Sequence, residues 1–96
     1  MTRHEHMIRP ASPSAIIHAA ILASGDSLAY VAACAEMTVT ELRAIIDGGR
    51  VRRRDVVRLA VALNRWHVAL WGELEDARRA CERWDDEEAE MAKEKR

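Results

Sequence analysis

Six of the chain's arginines lie in the short stretch of residues 43–58, where only two acidic residues accompany them. Guanidinium groups are planar forks of hydrogen-bond donors that match phosphate oxygens and keep their charge at physiological pH. The whole chain carries 15 basic and 16 acidic residues, a formal net charge of -1. A basic stretch within a nearly neutral protein therefore predicts a contact surface for a polyanion.

No arrangement of residues indicates an enzyme. The sequence has no Gly-rich phosphate loop and no nucleophile–histidine pair on a recognisable scaffold, and its acidic run at 85–88 belongs to a predicted exposed helix. Cys34 and Cys81 lack C-x-x-C spacing and are interpreted as free thiols of a reducing compartment. The trio His4-Glu5-His6 has no partner cluster and is interpreted as part of a solvated arm. We expect no catalytic residue, metal, cofactor or small-molecule substrate.

Length and composition predict one small folded domain. Ninety-six residues leave room for a compact domain plus an arm or one long helix. Apolar residues make up 49% and charged residues 32%, which is too apolar for disorder and too interrupted by charge for a membrane span. The apolar stretch 15–23 contains His18 and is interpreted as a helix face rather than a signal peptide. We therefore expect a soluble, cytoplasmic protein that does not bind membranes.

Capping residues predict two helices near the start of the chain. Ser12 is a predicted N-cap with Pro13 at the first helical position, and Gly25 ends this helix. Asp26 or Ser27 caps a second, short helix. Their apolar residues at helical spacing are Ile16, Ile17, Ala20, Ile21, Leu28, Val31, Ala32 and Ala35.

A tight turn leads from the second helix into a third. Thr38 and Glu41 form a predicted capping box at its start, Gly48-Gly49 ends it, and a fourth helix follows from about Asp55 after a basic loop. Buried positions in these two helices are predicted at Leu42, Ile45, Ile46, Val56, Leu59, Ala60 and Leu63. Two short helices joined in this way are typical of a helix-turn-helix, whose second helix enters the DNA major groove. We expect an all-α fold, a small helix-turn-helix bundle of about four helices followed by a long C-terminal helix.

From Asn64 onward the composition is strongly helix-forming and predicts one long helix, or two joined near Gly72. An apolar seam repeats within it at heptad spacing, and Trp71 and Trp84 add apolar surface that a small bundle does not cover. The predicted dimerisation residues are Leu70, Trp71, Leu74, Ala77, Cys81 and Trp84. The alternative is that this helix folds back on its own domain. Trp66 is expected to close the bundle, and residues 85–96 to form a frayed, charged end.

Three motifs between residue 14 and about residue 64 follow one pattern. They are the stripe Val31-Ala32-Ala33-Cys34-Ala35, the capped helix from Thr38 through Leu42-Arg43-Ala44-Ile45-Ile46-Asp47-Gly48, and the segment Val56-Val57-Arg58-Leu59-Ala60-Val61-Ala62-Leu63-Asn64. In these motifs the chain resembles the Xre/Cro repressor-like helix-turn-helix family of phage and bacterial transcription regulators. The family's usual turn glycine is Glu36 here, which predicts a left-handed glutamate at a cost of about 1 kcal/mol.

The resemblance implies that the third helix, residues 38–47, reads DNA. By position, the base-reading residues are Thr38, Val39, Thr40, Arg43 and Ala44, with Arg43 the candidate for a bidentate pair with a guanine. The phosphate contacts are Ser27, Tyr30, Arg50, Arg52, Arg53, Arg54 and Arg58. Arg3 and Arg9 are candidates for the minor groove, the alternative being a disordered tail.

The run of arginines at residues 52–54 also indicates an anion independently of the resemblance. It lies just before a predicted helix N-terminus, where a cation opposes the helix dipole at a cost of about 0.3–1 kcal/mol each. A bound phosphate would offset that penalty. The alternative is a solvated basic loop paired with Asp47 and Asp55.

These expectations divide the chain into three parts: a flexible basic arm (1–11), a helix-turn-helix DNA-binding domain (12–64) and a C-terminal helix with a charged tail (65–96). The function that the resemblance implies is sequence-specific regulation of transcription. A homodimer would bind a partly palindromic operator in double-stranded DNA and repress by promoter occlusion, in the cytoplasm of a bacterium or a phage-infected cell. The alternative is a protein-interaction module, antitoxin-like or an adaptor, that uses the C-terminal helix and for which DNA binding is secondary.

Overall fold

Five helices form the part of the chain that this computed structural model describes, residues 9–94. They are α1 (Pro13–Ser24), α2 (Leu28–Cys34), α3 (Val39–Ile46), α4 (Arg53–Ala62) and α5 (His67–Glu94). The first four are short, whereas α5 has 28 residues and continues through Gly72. The predicted all-α fold with a long C-terminal helix is confirmed.

Hydroxyl side chains begin each of the first three helices, as predicted. Ser12 accepts a hydrogen bond from the backbone N–H three residues later at 3.1 Å, Ser27 does so at 3.1 Å, and Thr38 at 3.0 Å. Each bond satisfies one of the N–H groups that a helix start leaves without a partner. Pro13 occupies the first position of α1, where it has no N–H to lose.

The helices α2, α3 and α4 each end with a left-handed residue just past the last turn. These residues are Glu36 (φ 56°), Gly48 (φ 104°) and Asn64 (φ 56°). After α2, the backbone N–H of Met37 donates to the carbonyl of Ala32 at 3.0 Å, the longer bond of a Schellman motif. The left-handed glutamate predicted at the turn is therefore present.

The core lies where the sequence predicts it between α2, α3 and the other helices. The predicted apolar positions Val31, Ala32, Ala35, Leu42 and Ile45 are buried, and so is Met37 in the turn between α2 and α3. α1 adds Ile17 and Ile21, and α4 adds Val56, Leu59 and Ala60. Residues at the edge of this core are half-buried: Ile16, Leu28, Ile46 and Leu63. The close approach of α2 and α3 follows from the small side chains at Ala32 and Ala35.

The fourth helix begins two residues earlier than predicted. Arg52 is its N-cap and Arg53 its first residue, so the sequence interpretation of residues 52–54 as loop is wrong. The physical reason is that the Asp55 carboxylate accepts a hydrogen bond from the backbone N–H of Arg52 at 3.2 Å. Asp55 thereby acts as the third residue of the helix, where an acidic side chain reaches back to the N-cap.

The first half of α5 packs on the bundle. Leu70, Leu74 and Ala77 are 0%, 3% and 8% exposed, and α5 contacts both α1 and α4. Their assignment to a dimer interface is wrong, because these side chains are already covered within the chain. The four short helices leave an apolar face open, and the seam on α5 covers it. Since Leu70 and Leu74 belong to the same core as α1–α4, residue 64 does not divide two domains.

Trp66 does not close the bundle, contrary to the sequence prediction. Its side chain is 79% exposed, and it precedes the first residue of α5. The left-handed backbone at Asn64 turns the chain sharply between α4 and α5. Trp66 lies within this connection, and Leu70, one turn further on, takes the buried position instead.

The chain before α1 lies along the second half of α5. The Arg9 guanidinium donates to the Asp85 carboxylate at 2.9 Å, and the Cys81 thiol lies 3.5 Å from the carbonyl oxygen of Pro10. Helix α5 continues to Glu94, so the prediction of a frayed end from residue 85 is wrong over the described part. Residues 1–8 of the predicted arm, with Arg3, lie outside the described residues.

Among the described residues, no single helix is long and apolar enough to cross a membrane. The helices α1 and α2 reach the required apolar length only as a pair bent by 104°.

Candidate nucleic-acid interface

Helix α3 has one buried and one exposed face. Leu42 and Ile45 face the core, because residues three apart share a side of a helix. The opposite face is exposed and carries most of the predicted base-reading residues, namely Val39, Thr40, Arg43 and Ala44. Its residues are short except for Arg43, so this guanidinium extends furthest from the helix. The face is thus free for a ligand that fits against a helix.

Thr38 is less available than the sequence prediction assumed. Its hydroxyl accepts the Glu41 backbone N–H at 3.0 Å and donates to the Glu41 carboxylate at 3.1 Å. The same carboxylate accepts the Thr38 backbone N–H at 3.3 Å, which completes the predicted capping box. Because both functions of the hydroxyl are used within the helix cap, the structure assigns Thr38 to the start of α3.

The six arginines between residues 43 and 58 are exposed, and none of them forms an ion pair with another described residue. In contrast, Arg65 pairs with Glu73 and Arg78 pairs with Glu75 and Glu82 on α5. Among the described contacts, no ion pair joins the basic segment, residues 50–54, to Asp47 or Asp55, which is the pairing that the alternative interpretation requires. Arg50, Arg52 and Arg54 line one groove, where their like charges repel each other and an anion relieves that repulsion.

The first turn of α4 concentrates this charge. Arg52 is the N-cap, and Arg53 and Arg54 are the first two helical residues. The helix dipole places partial positive charge at the same end, so the cations are unfavourable there by about 0.3–1 kcal/mol each. The Asp55 carboxylate in the same turn offsets a part of this penalty. Exposed N–H groups and guanidinium groups at one helix end form a favourable environment for a phosphate.

A shallow groove of about 350 Å³ joins α3 to the basic segment. From the predicted interface it brings together Ala44 on α3 with Arg50, Arg52 and Arg54. Glu41 and Asp55 also line it; Asp55 was expected beside the arginines only in the alternative interpretation, and Glu41 was not expected there. Both are engaged by backbone N–H groups of helix caps, which holds them in place. The capping pattern could have revealed the position of Asp55, since it fixes this carboxylate one turn from Arg52, whereas Glu41 reaches the arginines only through the tertiary packing.

Arg53 departs from the other arginines of the segment. Its guanidinium carbon lies 5.7 Å from the centre of the Trp71 ring, within the range of a cation–π interaction. Trp71 is half-buried on α5 and packs against the core. No pattern in the sequence indicated this contact, because the two residues are 18 positions apart and meet only through the packing of α5.

Ser27 and Tyr30 lie at the start of α2, as the resemblance requires, but they are occupied locally. The Ser27 hydroxyl caps the helix by accepting the Tyr30 backbone N–H. The Tyr30 side chain is 57% exposed, and hydrogen bonding with Cys34 together with the nearby charge of Asp26 raises the pKa of its phenol. Tyr30 therefore remains a neutral hydrogen-bonding group at physiological pH.

The remaining predicted positions are distributed over other surfaces. Arg58 is exposed on α4. Arg9 pairs with Asp85, an interaction that raises the pKa of its guanidinium, so the described chain places Arg9 on α5 rather than beside α3. Among the predicted dimer residues, Trp71, Cys81 and Trp84 are half-buried, and the Trp84 indole donates to Glu88 at 2.8 Å. No group of three potential metal ligands comes together within the described residues.

Comparison with protein families, curated proteins and solved structures finds no significant match to this chain. The functional argument therefore depends on the geometry and charge of the interface.

Proposed function

We propose that this protein is a sequence-specific DNA-binding regulator of transcription, with α3 in the major groove and the basic segment on the adjacent phosphates. The observation that carries the proposal is the set of unpaired, exposed arginines beside the exposed face of α3. Three short exposed residues and one arginine suit the major groove, which admits a helix and presents the acceptor atoms of guanine. The motifs shared with Xre/Cro-like regulators support the same assignment.

Within this proposal the residues have two roles. Arg43, with Val39, Thr40 and Ala44, contacts base edges and thymine methyl groups, and so determines sequence. Arg50, Arg52 and Arg54 contact phosphates, and so fix the orientation on the duplex without reading it. Arg58 adds a further phosphate contact.

The regulator acts as a homodimer on a partly palindromic operator, with half-sites about 34 Å apart, and represses by covering the promoter. A single short recognition helix contacts few base pairs, and a two-fold pair doubles the sequence that is read. The two copies meet through surfaces other than the buried seam of α5. Cys81 and Trp84 are the predicted dimer residues further along that helix, and they remain half-buried.

The test is selection of bound duplexes from a randomised DNA pool at near-physiological salt, followed by affinity measurements on selected and random duplexes. We expect enrichment of an inverted repeat. Arg43→Ala should reduce discrimination between the two duplexes by about 1–3 kcal/mol, whereas Arg52→Ala should weaken both equally.

Three outcomes would contradict parts of this proposal. Equal losses for Arg43→Ala on both duplexes would remove its base-reading role. A single unrepeated motif would contradict the two-fold assembly. No enrichment, with no salt-dependent binding, would contradict DNA recognition altogether.

A second candidate function is a protein-interaction module, antitoxin-like or an adaptor, and one observation favours it. Trp66 and Val61 are 79% and 73% exposed and line the same shallow groove at the junction of α4 and α5. Large apolar groups that are exposed together are typical of protein contact sites. This candidate predicts that replacing Arg52 and Arg54 by glutamine leaves duplex affinity unchanged, which the salt-dependent binding assay measures directly.

A further inference from the structure

The basic segment is held between two helices. On one side, Gly49 approaches α3 so closely that an added Cβ would lie 2.5 Å from the carbonyl oxygen of Ala44. On the other side, residues 48–51 and Trp71 of α5 line a common cavity of about 450 Å³. Gly49 therefore lies tightly against α3, and Trp71 borders the cavity beside the loop on the side of α5.

Within this segment the arginines divide between the two sides. Arg52 and Arg54 line the groove beside α3, together with Ala44. Arg53 lies over the Trp71 ring at 5.7 Å. Arg52 is the N-cap and has extended backbone, whereas Arg53 and Arg54 are helical and project about 100° apart, so Arg53 and Arg54 reach different surfaces. The first turn of α4 thus presents two guanidinium groups to the groove and one to α5.

We propose that Trp71 is a positioning residue of the DNA interface, and that Arg53 anchors the basic segment to α5 instead of contacting a phosphate. This inference rests on the proposed function. The ring face of Trp71 attracts the Arg53 guanidinium and fixes the first turn of α4 against α5. Arg50, Arg52 and Arg54 are then the residues that hold the phosphates.

The salt dependence of binding separates the two kinds of arginine. Each cation that neutralises a phosphate of duplex DNA releases counterions and adds about 0.9 to the slope of log affinity against log salt concentration. Removal of a phosphate contact lowers this slope, whereas removal of an anchor lowers the affinity at every salt concentration and changes the slope little.

The experiment measures duplex binding by fluorescence anisotropy over a range of salt concentrations for Arg53→Ala, Trp71→Leu and the double variant. Arg52→Ala is the matched control, because Arg52 adjoins Arg53 and lies on the groove. We expect Arg52→Ala to lower the slope by about 0.9. Arg53→Ala and Trp71→Leu should each weaken binding by about two- to fivefold. Each should change the slope by less than half of the change expected for Arg52→Ala.

Two further results are expected. The double variant should bind no more weakly than the weaker single variant, because both substitutions remove one contact. Trp71→Phe should restore most of the affinity, because it keeps an aromatic face for Arg53, whereas leucine only keeps the apolar volume.

The proposal is overturned if Arg53→Ala lowers the slope as much as Arg52→Ala, or if the two single losses multiply in the double variant. In either case wild-type binding and the Arg52→Ala slope remain, so the proposed function stands. If the wild-type protein binds no duplex even at low salt, the proposed function and the positioning role both fail. In that case the urea midpoints of the same variants are compared. Midpoint shifts of the two single variants that do not add up in the double variant would show that the contact of Arg53 with Trp71 stabilises the fold without a role in binding.

Discussion

Glu36 has a backbone conformation that is unfavourable for its residue type. It has φ 56° at the end of α2, a conformation that costs an L-amino acid about 1–2 kcal/mol. Glycine adopts this conformation freely, but its greater freedom in the unfolded chain offsets about 0.5–1 kcal/mol of the gain. The Glu36 carboxylate also lies at the negative end of the α2 dipole, and its removal adds about 0.3–1 kcal/mol.

We therefore expect Glu36→Gly to increase the free energy of unfolding by about 1 kcal/mol, the sum of these contributions. For a domain of this size that corresponds to a rise in Tm of about 4–8 °C. The assay is thermal and urea unfolding followed by far-ultraviolet circular dichroism.

Two control variants separate the contributions. Asn64→Gly replaces a residue with the same φ of 56°, but asparagine tolerates this conformation better than glutamate does, so the gain should be smaller. Glu36→Ala removes the carboxylate and keeps the backbone cost, so it should give only the dipole contribution. If Glu36→Gly leaves the Tm unchanged or lowers it, the turn is not strained and the reasoning is refuted.

Three further predictions concern the core, a helix cap and an ion pair. Leu70→Ala should lower the free energy of unfolding by about 2–5 kcal/mol. Because Leu70 is buried within the chain, this loss should not depend on protein concentration. A loss that grows on dilution would instead indicate that Leu70 lies in a dimer interface. Thr38→Ala should cost about 1 kcal/mol in urea unfolding and Thr38→Ser much less, because serine keeps the capping oxygen; equal losses would contradict the capping role. The Arg78 guanidinium lowers the pKa of Glu75 from its ordinary 4.5, so this contribution to stability is present above that value and is lost as the pH falls through the lowered one. Glu75→Gln should therefore destabilise the protein at pH 7, and its difference from the wild type in urea unfolding should shrink as the pH is lowered below 4.5.

The arginines of the basic segment lie on two surfaces, so under the proposed function they do not all contact phosphates. Neighbouring arginines in a sequence are often treated as equivalent phosphate contacts. Here one of three successive residues lies over an aromatic ring on another helix, and the other two line the groove beside α3. Under the proposed function, affinity depends on α5 even though α5 does not itself contact the duplex.

Local rules were sufficient for much of the candidate site. The capping box at Thr38 and Glu41 and the buried face of α3 were predictable in this way, because each depends on residues within a few positions of one another. The left-handed Glu36 was expected from the resemblance, since it stands where the family usually has glycine. The predicted start of α4 at about Asp55 is two residues too late, because Asp55 caps the helix from within its first turn.

The helices, the hydroxyl caps of α1–α3 and the apolar stripe on each helix follow from the sequence, since hydrogen bonding and side-chain periodicity act along the chain. What each stripe covers depends on the packing of the helices. The seam at Leu70, Leu74 and Ala77 has the same spacing whether it meets a second copy or its own bundle, and the open face between α1 and α4 settled the choice. The same packing brought Trp71 to Arg53 and left Trp66 exposed, because contacts between distant residues depend on how helices assemble and not on their individual periodicity.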